Sequence, residues 1–348
     1  MMKTTSHEAR SLHRGANQNR RQSYPGCRNV VLHADDLGMN ESVNAGILRA
    51  FSHGVLTSAS VLANAPACAT AIDQWKQLLL RYAQGDFPSL EARGRLGDRL
   101  IPFDLGIHLN LTQGRPLTGD RYPAALLDHA GSFPGIFKLA STLLTLGPKF
   151  QRVIEAELCA QIEVLHDCAI LPSHLNAHQY VDLLPVVASI VPRLLKRYGI
   201  RVVRVPWERR LFRSTLWQRF QPRHWCLAQI KRMFAFHQLV RMHRARALFP
   251  DGYFGTAHAG QIDLALMQTF ITQVGTGITE ICLHPGAPAP DTHPTANQHD
   301  WHDPLAAGRS NELSLLTSPE LVELLESRNI RLTRLSDLAA RCSSSAAA

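Results

Sequence analysis

The 348-residue chain has no run of about 18 consecutive apolar residues, so no membrane-spanning helix is expected. It has no C-x-x-C pair, and its seven cysteines are odd in number and irregular in spacing. That argues against a disulfide framework or a thiolate zinc site and points to a reducing compartment. The N-terminal stretch has no apolar segment of the secretory kind, and a cytoplasmic protein is expected. Acidic residues are absent from 209–250, where ten Lys and Arg stand, and nearly absent from 1–28, where six Lys and Arg face Glu8 alone. The net charge of +9 therefore sits on two basic appendages of a mildly acidic body. With 45% hydrophobic and 19% charged residues the composition is that of a globular protein, long enough for one large or two modest domains.

What is present is an alternation of short apolar runs and amphipathic stretches. Residues 1–28 are polar and aperiodic and are expected to form a disordered basic leader, with 341–348 a disordered tail. Strands are expected over 29–34, 55–62, 104–111, 200–205, 280–283 and 329–333, bounded by turn residues. Helices are expected over 42–51, 67–82, 149–167, 183–198, 261–274 and 319–327, with two more inside 209–250 and a loop over 84–100. Six or more strand-then-helix units without an internal repeat predict an α/β fold with a parallel sheet, in the form of a distorted (β/α) TIM-like barrel. Residues 29–340 are expected to be a single catalytic domain interrupted by the basic helical insertion.

Ligands of such folds bind at the C-terminal ends of the strands. The first strand ends in Asp35 and Asp36, adjacent carboxylates that repel unless a cation or a proton is shared. The plain alternative is a solvated turn in which Asp36 helps to start the next helix. Other strand ends carry His108, His178 with His174 close by, and His284. Among seventeen histidines these stand out by position, because an imidazole buried in an apolar strand is costly without a partner. One carboxylate and two imidazoles form a common ligand set that leaves positions for water and substrate. A metal so held would acidify its water and polarise a carbonyl. A second carboxylate could take the proton, and an opposing histidine could protonate the leaving group.

Five ordered motifs then carry a family resemblance: Ala34-Asp35-Asp36-Leu37-Gly38, Gly106-Ile107-His108-Leu109-Asn110-Leu111-Thr112, His174-Leu175-Asn176-Ala177-His178, His284-Pro285-Gly286, and Arg309-Ser310-Asn311-Glu312-Leu313 running on to Leu321. Together they resemble the YdjC-like carbohydrate deacetylases over about residues 29–340. The Arg201–Glu208 region and Asp251-Gly252-Tyr253-Phe254-Gly255 look closest to a subgroup associated with hopanoid lipid biosynthesis. The resemblance implies a variant (β/α) barrel with one divalent ion, Mg2+ or Zn2+, that removes acetyl from N-acetylated sugars or glycolipids. Carried over, Asp36, His108 and His178 would be the metal ligands and Asp35 the general base. His284 would be the general acid, with Arg204 and His174 on the substrate side, His174 leaning toward a supporting role. The chain departs from the family's usual Asp-Ser-His-x-His-x-His run, where Tyr180 and Asp182 stand in place of the later two histidines. A retained metal with altered surroundings is therefore expected.

In 209–250 aromatic residues such as Trp217, Phe220 and Phe236 interleave with arginines. Two readings stay open: a helical insertion packed beside the active-site mouth, or a surface drawn to anionic lipid at the inner face of a membrane. No motif supports nucleic-acid binding, and a homo-oligomer stays open. Rival functions are another hydrolase or a ferrous oxygenase on the same Asp/His/His set, and a non-catalytic sugar- or lipid-binding protein at the membrane.

Overall fold

The computed structural model describes residues 28–87, 103–208, 222–288 and 301–340, with side chains from 233 onward in the third of these. The leader up to residue 27, the tail 341–348, residues 209–221 of the basic insertion and nearly all of the expected 84–100 loop lie outside them. Among the described residues no helix is long and apolar enough to cross a membrane.

The strands are β1 (Arg28–Leu37), β2 (Ser58–Val61), β3 (Asp104–Leu109), β4 (His174–Ala177), β5 (Val202–Val203), β6 (Gly252–Phe254), β7 (Gly277–Leu283) and β8 (Ile330–Leu332). Between and after them run helices α1 (Glu41–His53), α2 (Cys68–Ala83), α3 (Ile136–Asp167), α4 (Pro185–Tyr198), α5 (Pro222–Arg244), α6 (Leu264–Gln273), α7 (Ala306–Leu316) and α8 (Pro319–Ser327). One parallel sheet has the order β5-β4-β3-β2-β1-β7-β6, and β8 pairs the N-terminal half of β1. The sheet curls on itself. Bridges Val202↔Leu248 and Glu208↔Tyr253 join the region of β5 to that of β6, so the expected distorted barrel is observed. Arg28, assigned above to the leader, is instead the first residue of β1, and its guanidinium donates to the Val274 carbonyl at 3.1 Å.

Side chains alternate across each strand, and here the apolar set faces the helices. Leu32, Ala34, Ile107, Leu109, Leu175 and Ile281 belong to one large hydrophobic cluster with the helices. The opposite set fills the barrel in layers. At the bottom Val31, Val202 and Ile278 pack with Leu335 and Leu338 from beyond β8, a separate apolar cluster that plugs that end. Above it come His33, His174, Arg204 and Glu280, all buried. His174 fits because position 106 is glycine: a Cβ there would lie 2.3 Å from the imidazole Nε2. The top layer is the site described below.

One departure has a physical cause. Helix α3 begins at Ile136, not at 149, and runs on through Gly147 and Pro148. Leu139 and Leu143 are buried before the proline, and Gly147 lets α4 approach, since a Cβ there would meet Val186. Burial on both sides outweighs the hydrogen bond that proline removes. In the basic insertion the described part is the single helix α5, whose Ala235, Gln238, Leu239 and Met242 are buried.

Gly46 on α1 packs backbone to backbone on the turn after β7, where a Cβ would lie 2.3 Å from the Gly286 Cα. Gly46→Ala is expected to destabilise the protein by about 1–3 kcal/mol, because the overlap outweighs the ~1 kcal/mol gained in helix propensity. Denaturant unfolding of the two proteins checks the sign.

Candidate metal centre

The site starts from an irregularity in β1. Regular alternation would send Asp36 away from the barrel while Asp35 points in. The pairing of β1 with β2 shifts register between Ala34 and Leu37, and Asp36 adopts a left-handed φ of 72°. Aspartate tolerates that conformation better than most residues. The bulge turns both carboxylates into one mouth, and bulges commonly re-aim side chains in this way.

Asp36 meets two imidazoles. Its Oδ1 lies 3.0 Å from Nδ1 of His178, the first residue after β4, and 3.5 Å from Nε2 of His108 on β3. One donor atom from each of the three residues lies within 4.8 Å of the others. Around an ion about 2.1 Å from each ligand, neighbouring donors stand about 3.0–3.4 Å apart, close to the 3.0 and 3.5 Å that separate Asp36 from the two imidazoles. His108 Nδ1 is engaged by Asn176 Oδ1 at 2.8 Å. With the proton on Nδ1, the lone pair of Nε2 faces Asp36, as an outer carboxamide does for a ligating histidine. These features fit a divalent cation. Arg309 of α7 donates to the far oxygen, Oδ2 of Asp36, at 2.8 Å and is itself held by Asp303. Burial opposes the Asp36 charge, but Arg309 with His108 and His178 outweighs it and holds the carboxyl well below the usual range.

Asp35 is held from every side. Arg204 grips it with two bonds, Nη1 to Oδ2 at 2.6 Å and Nη2 to Oδ1 at 2.9 Å. Asn176 donates to Oδ1 at 2.9 Å, and the Cys282 thiol lies 3.2 Å from Oδ2. Burial raises the Asp35 carboxyl, yet Arg204, His108 and His33 keep it well below the usual range. It is a fixed anion at neutral pH. His284 Nε2 lies 3.9 Å from Asp35 Oδ2, and burial pushes this imidazole down to about 4, so it is neutral. Glu312 of α7 fixes its backbone, accepting from His284 N at 2.6 Å.

Two of the residues expected on the substrate side, Arg204 and His174, lie below the mouth. Arg204 is 1% exposed, and its guanidinium bonds Asp35, Glu280 and His33 below the mouth, the place of a positioning group more than of a substrate contact. His174 is fully buried one layer down, between His33 Nε2 and Ser173 Oγ, each at 2.8 Å. Burial drives it to about 4, a neutral ring inside the barrel. At the positions where the family's run has its later two histidines stand Tyr180 and Asp182. Tyr180 OH lies 3.0 Å from Tyr253 OH, and Asp182 accepts from Gln238 of α5, tying the His178 turn to the insertion.

Several residues of the site escaped the sequence reading. His33, Asn176 and Cys282 share strand faces with Asp35, His178 and His284 at a spacing of two, which was a usable signal. Arg309 and Glu312 stand i, i+3 within a motif noted only for resemblance.

Comparison with known proteins bears on this arrangement. The model of the YdjC-like protein family matches residues 29–327. A carbohydrate deacetylase of Geobacillus stearothermophilus is 30% identical over 313 residues, covering 88% of this chain and 96% of that protein. A human carbohydrate deacetylase is 28% identical over 323 residues, covering 89% of this chain and 90% of that one. A solved structure from Enterococcus faecalis V583, described as a proposed cellobiose-phosphate cleavage protein, superposes with a TM-score of 0.66. It covers 90% of this chain and 99% of that one at 19% identity, a likeness of fold.

Proposed function

The chain belongs to the YdjC-like family, and on that premise we propose that it is a metal-dependent hydrolase that removes acetyl from an N-acetylated sugar. Curated relatives aligned over nearly their whole length are carbohydrate deacetylases, which supports an enzyme of that class. The observation that carries the metal is the convergence of Asp36, His108 and His178.

A divalent ion there would acidify a bound water and polarise the acetyl carbonyl. Two imidazoles suit zinc or another imidazole-binding ion better than magnesium, which prefers oxygen donors. Asn176 keeps His108 in the tautomer that offers Nε2, and Arg309 orients Asp36. Asp35, ionised and immobile, is assigned as the acceptor of the water's proton. His284 is assigned to the departing amine. Being neutral at the outset, it serves as acid only after receiving a proton, and Asp35 Oδ2 at 3.9 Å is the group placed to pass one on. An oxygenase on the same ligands would have no use for a second, bidentately held carboxylate beside them, which favours hydrolysis.

Acetate release from N-acetylated chito-oligosaccharides and N-acetylglucosaminyl lipids tests the proposal. Release is expected to stop with chelator and to return with zinc more than with magnesium. Full turnover in chelator would remove the metal from the reading, and activity only with a redox-active iron would remove the hydrolase.

A further inference from the structure

Residues 301–303 are clamped to the site through three consecutive positions. The Trp301 indole is half-buried and lies against Gly114 of the loop after β3, where a Cβ would come within 2.6 Å of Nε1. The His302 N–H donates to Gln113 Oε1 at 3.1 Å. Asp303 accepts from Arg309 at 2.7 Å, and Arg309 in turn donates to Asp36. The Trp301 ring centre stands 6.4 Å from that of His178. A large aromatic surface is thus fixed beside the candidate metal ligands and left partly open.

The candidate ligands and their charged partners are carboxylate, imidazole and guanidinium, groups that hold hydroxyls and amides but offer no apolar face to the C–H side of a pyranose. A rigid indole supplies an apolar face at little entropic cost. We propose that Trp301 is the stacking shelf for a pyranose ring of the N-acetylated saccharide, setting the distance from that ring to the metal centre. The proposal rests on the deacetylase reading. Gly114 is part of the device, since its φ of 70° and the nearby indole both exclude a side chain.

The test compares wild type, Trp301→Ala, Trp301→Phe and Gly114→Ala on N-acetylated chitobiose and chitotriose. Trp301→Ala is expected to raise KM about tenfold or more while kcat and metal content stay within about threefold. Trp301→Phe restores most of the KM. Gly114→Ala, which displaces the indole without removing it, raises KM in the same direction. In metal-stripped protein the same saccharides are expected to quench indole fluorescence in wild type and not in Trp301→Phe. A KM within about twofold of wild type in Trp301→Ala overturns the shelf, and so does joint loss of kcat and metal at constant KM, which marks a ring that only props His178. Should wild type release no acetate, the deacetylase reading falls. The quenching experiment then decides the shelf alone: quenching lost in Trp301→Phe upholds it, and no quenching in wild type overturns it.

Discussion

Asp35→Asn is expected to retain the metal and lose about 10²–10⁴ in kcat, the usual worth of a positioned proton acceptor, while Asp36→Ala loses the metal itself. The two residues are adjacent, so this difference rests on how the bulge in β1 aims them. Asp36 lies 3.0 Å and 3.5 Å from the two imidazoles, and among the described residues no other carboxylate is found as close to both. Losing an outer partner of a metal ligand costs about 10–100-fold in affinity, and loss of the one anionic ligand should exceed that. Asp35 meets Arg204, Asn176 and Cys282, with His108 Nε2 at 4.0 Å. Asparagine at 35 keeps the shape and one acceptor oxygen for Arg204, but its amide cannot take a proton from water. Metal content by atomic emission and single-turnover acetate release separate the two outcomes. Equal metal loss in both variants would make the carboxylates joint ligands.

How much of this was legible in the sequence follows from what each segment buries. Asp35, Asp36, His108, His178 and His284 stand at or just past strand ends, a position legible in the sequence, and the structure brings them to one mouth. Helix α7 was not found, because its inward face carries Arg309 and Glu312 as well as leucines and so lacks a clean apolar stripe. Strand β6 spans only Gly252–Phe254, too short for alternation to register. The first part of α3 was missed because Pro148 resembles a helix start. Arg204 was noticed at its strand end, but its direction could not be read. An arginine beside a mouth is usually a ligand contact, and only the polar middle layer of the barrel shows what it faces.

That middle layer leads to the second large effect. Arg204→Met is expected to destabilise the protein by about 3–5 kcal/mol, the cost of removing one partner from a buried ion pair. Against a typical total of about 5–15 kcal/mol this is a large fraction. Methionine fills much of the volume but leaves Asp35 and Glu280 buried without their shared cation, and it strips His33 Nδ1 of its donor. The loss should depend on pH in a definite sense. The folded-state Asp35 carboxyl is depressed, so the stability it draws from Arg204 is fully present above the unfolded value of about 3.9 and fades as pH falls through the lower folded value. In the variant burial is opposed only by His108, His33 and the remaining donors, and Asp35 takes up a proton more readily. The difference between wild type and variant should therefore be largest near neutrality and shrink toward pH 3. Glu280 acts in the same sense, because burial already holds its carboxyl above the usual range and losing Arg204 raises it further. Urea unfolding at pH 7 and pH 4 reads both the size and the trend. A substrate contact at position 204 would give the opposite pattern, a raised KM with unchanged unfolding. A loss under about 1 kcal/mol at pH 7 would mean that Asp35 is held by Asn176 and the thiol without Arg204, and the fixed-anion account of its proton chemistry would fail with it.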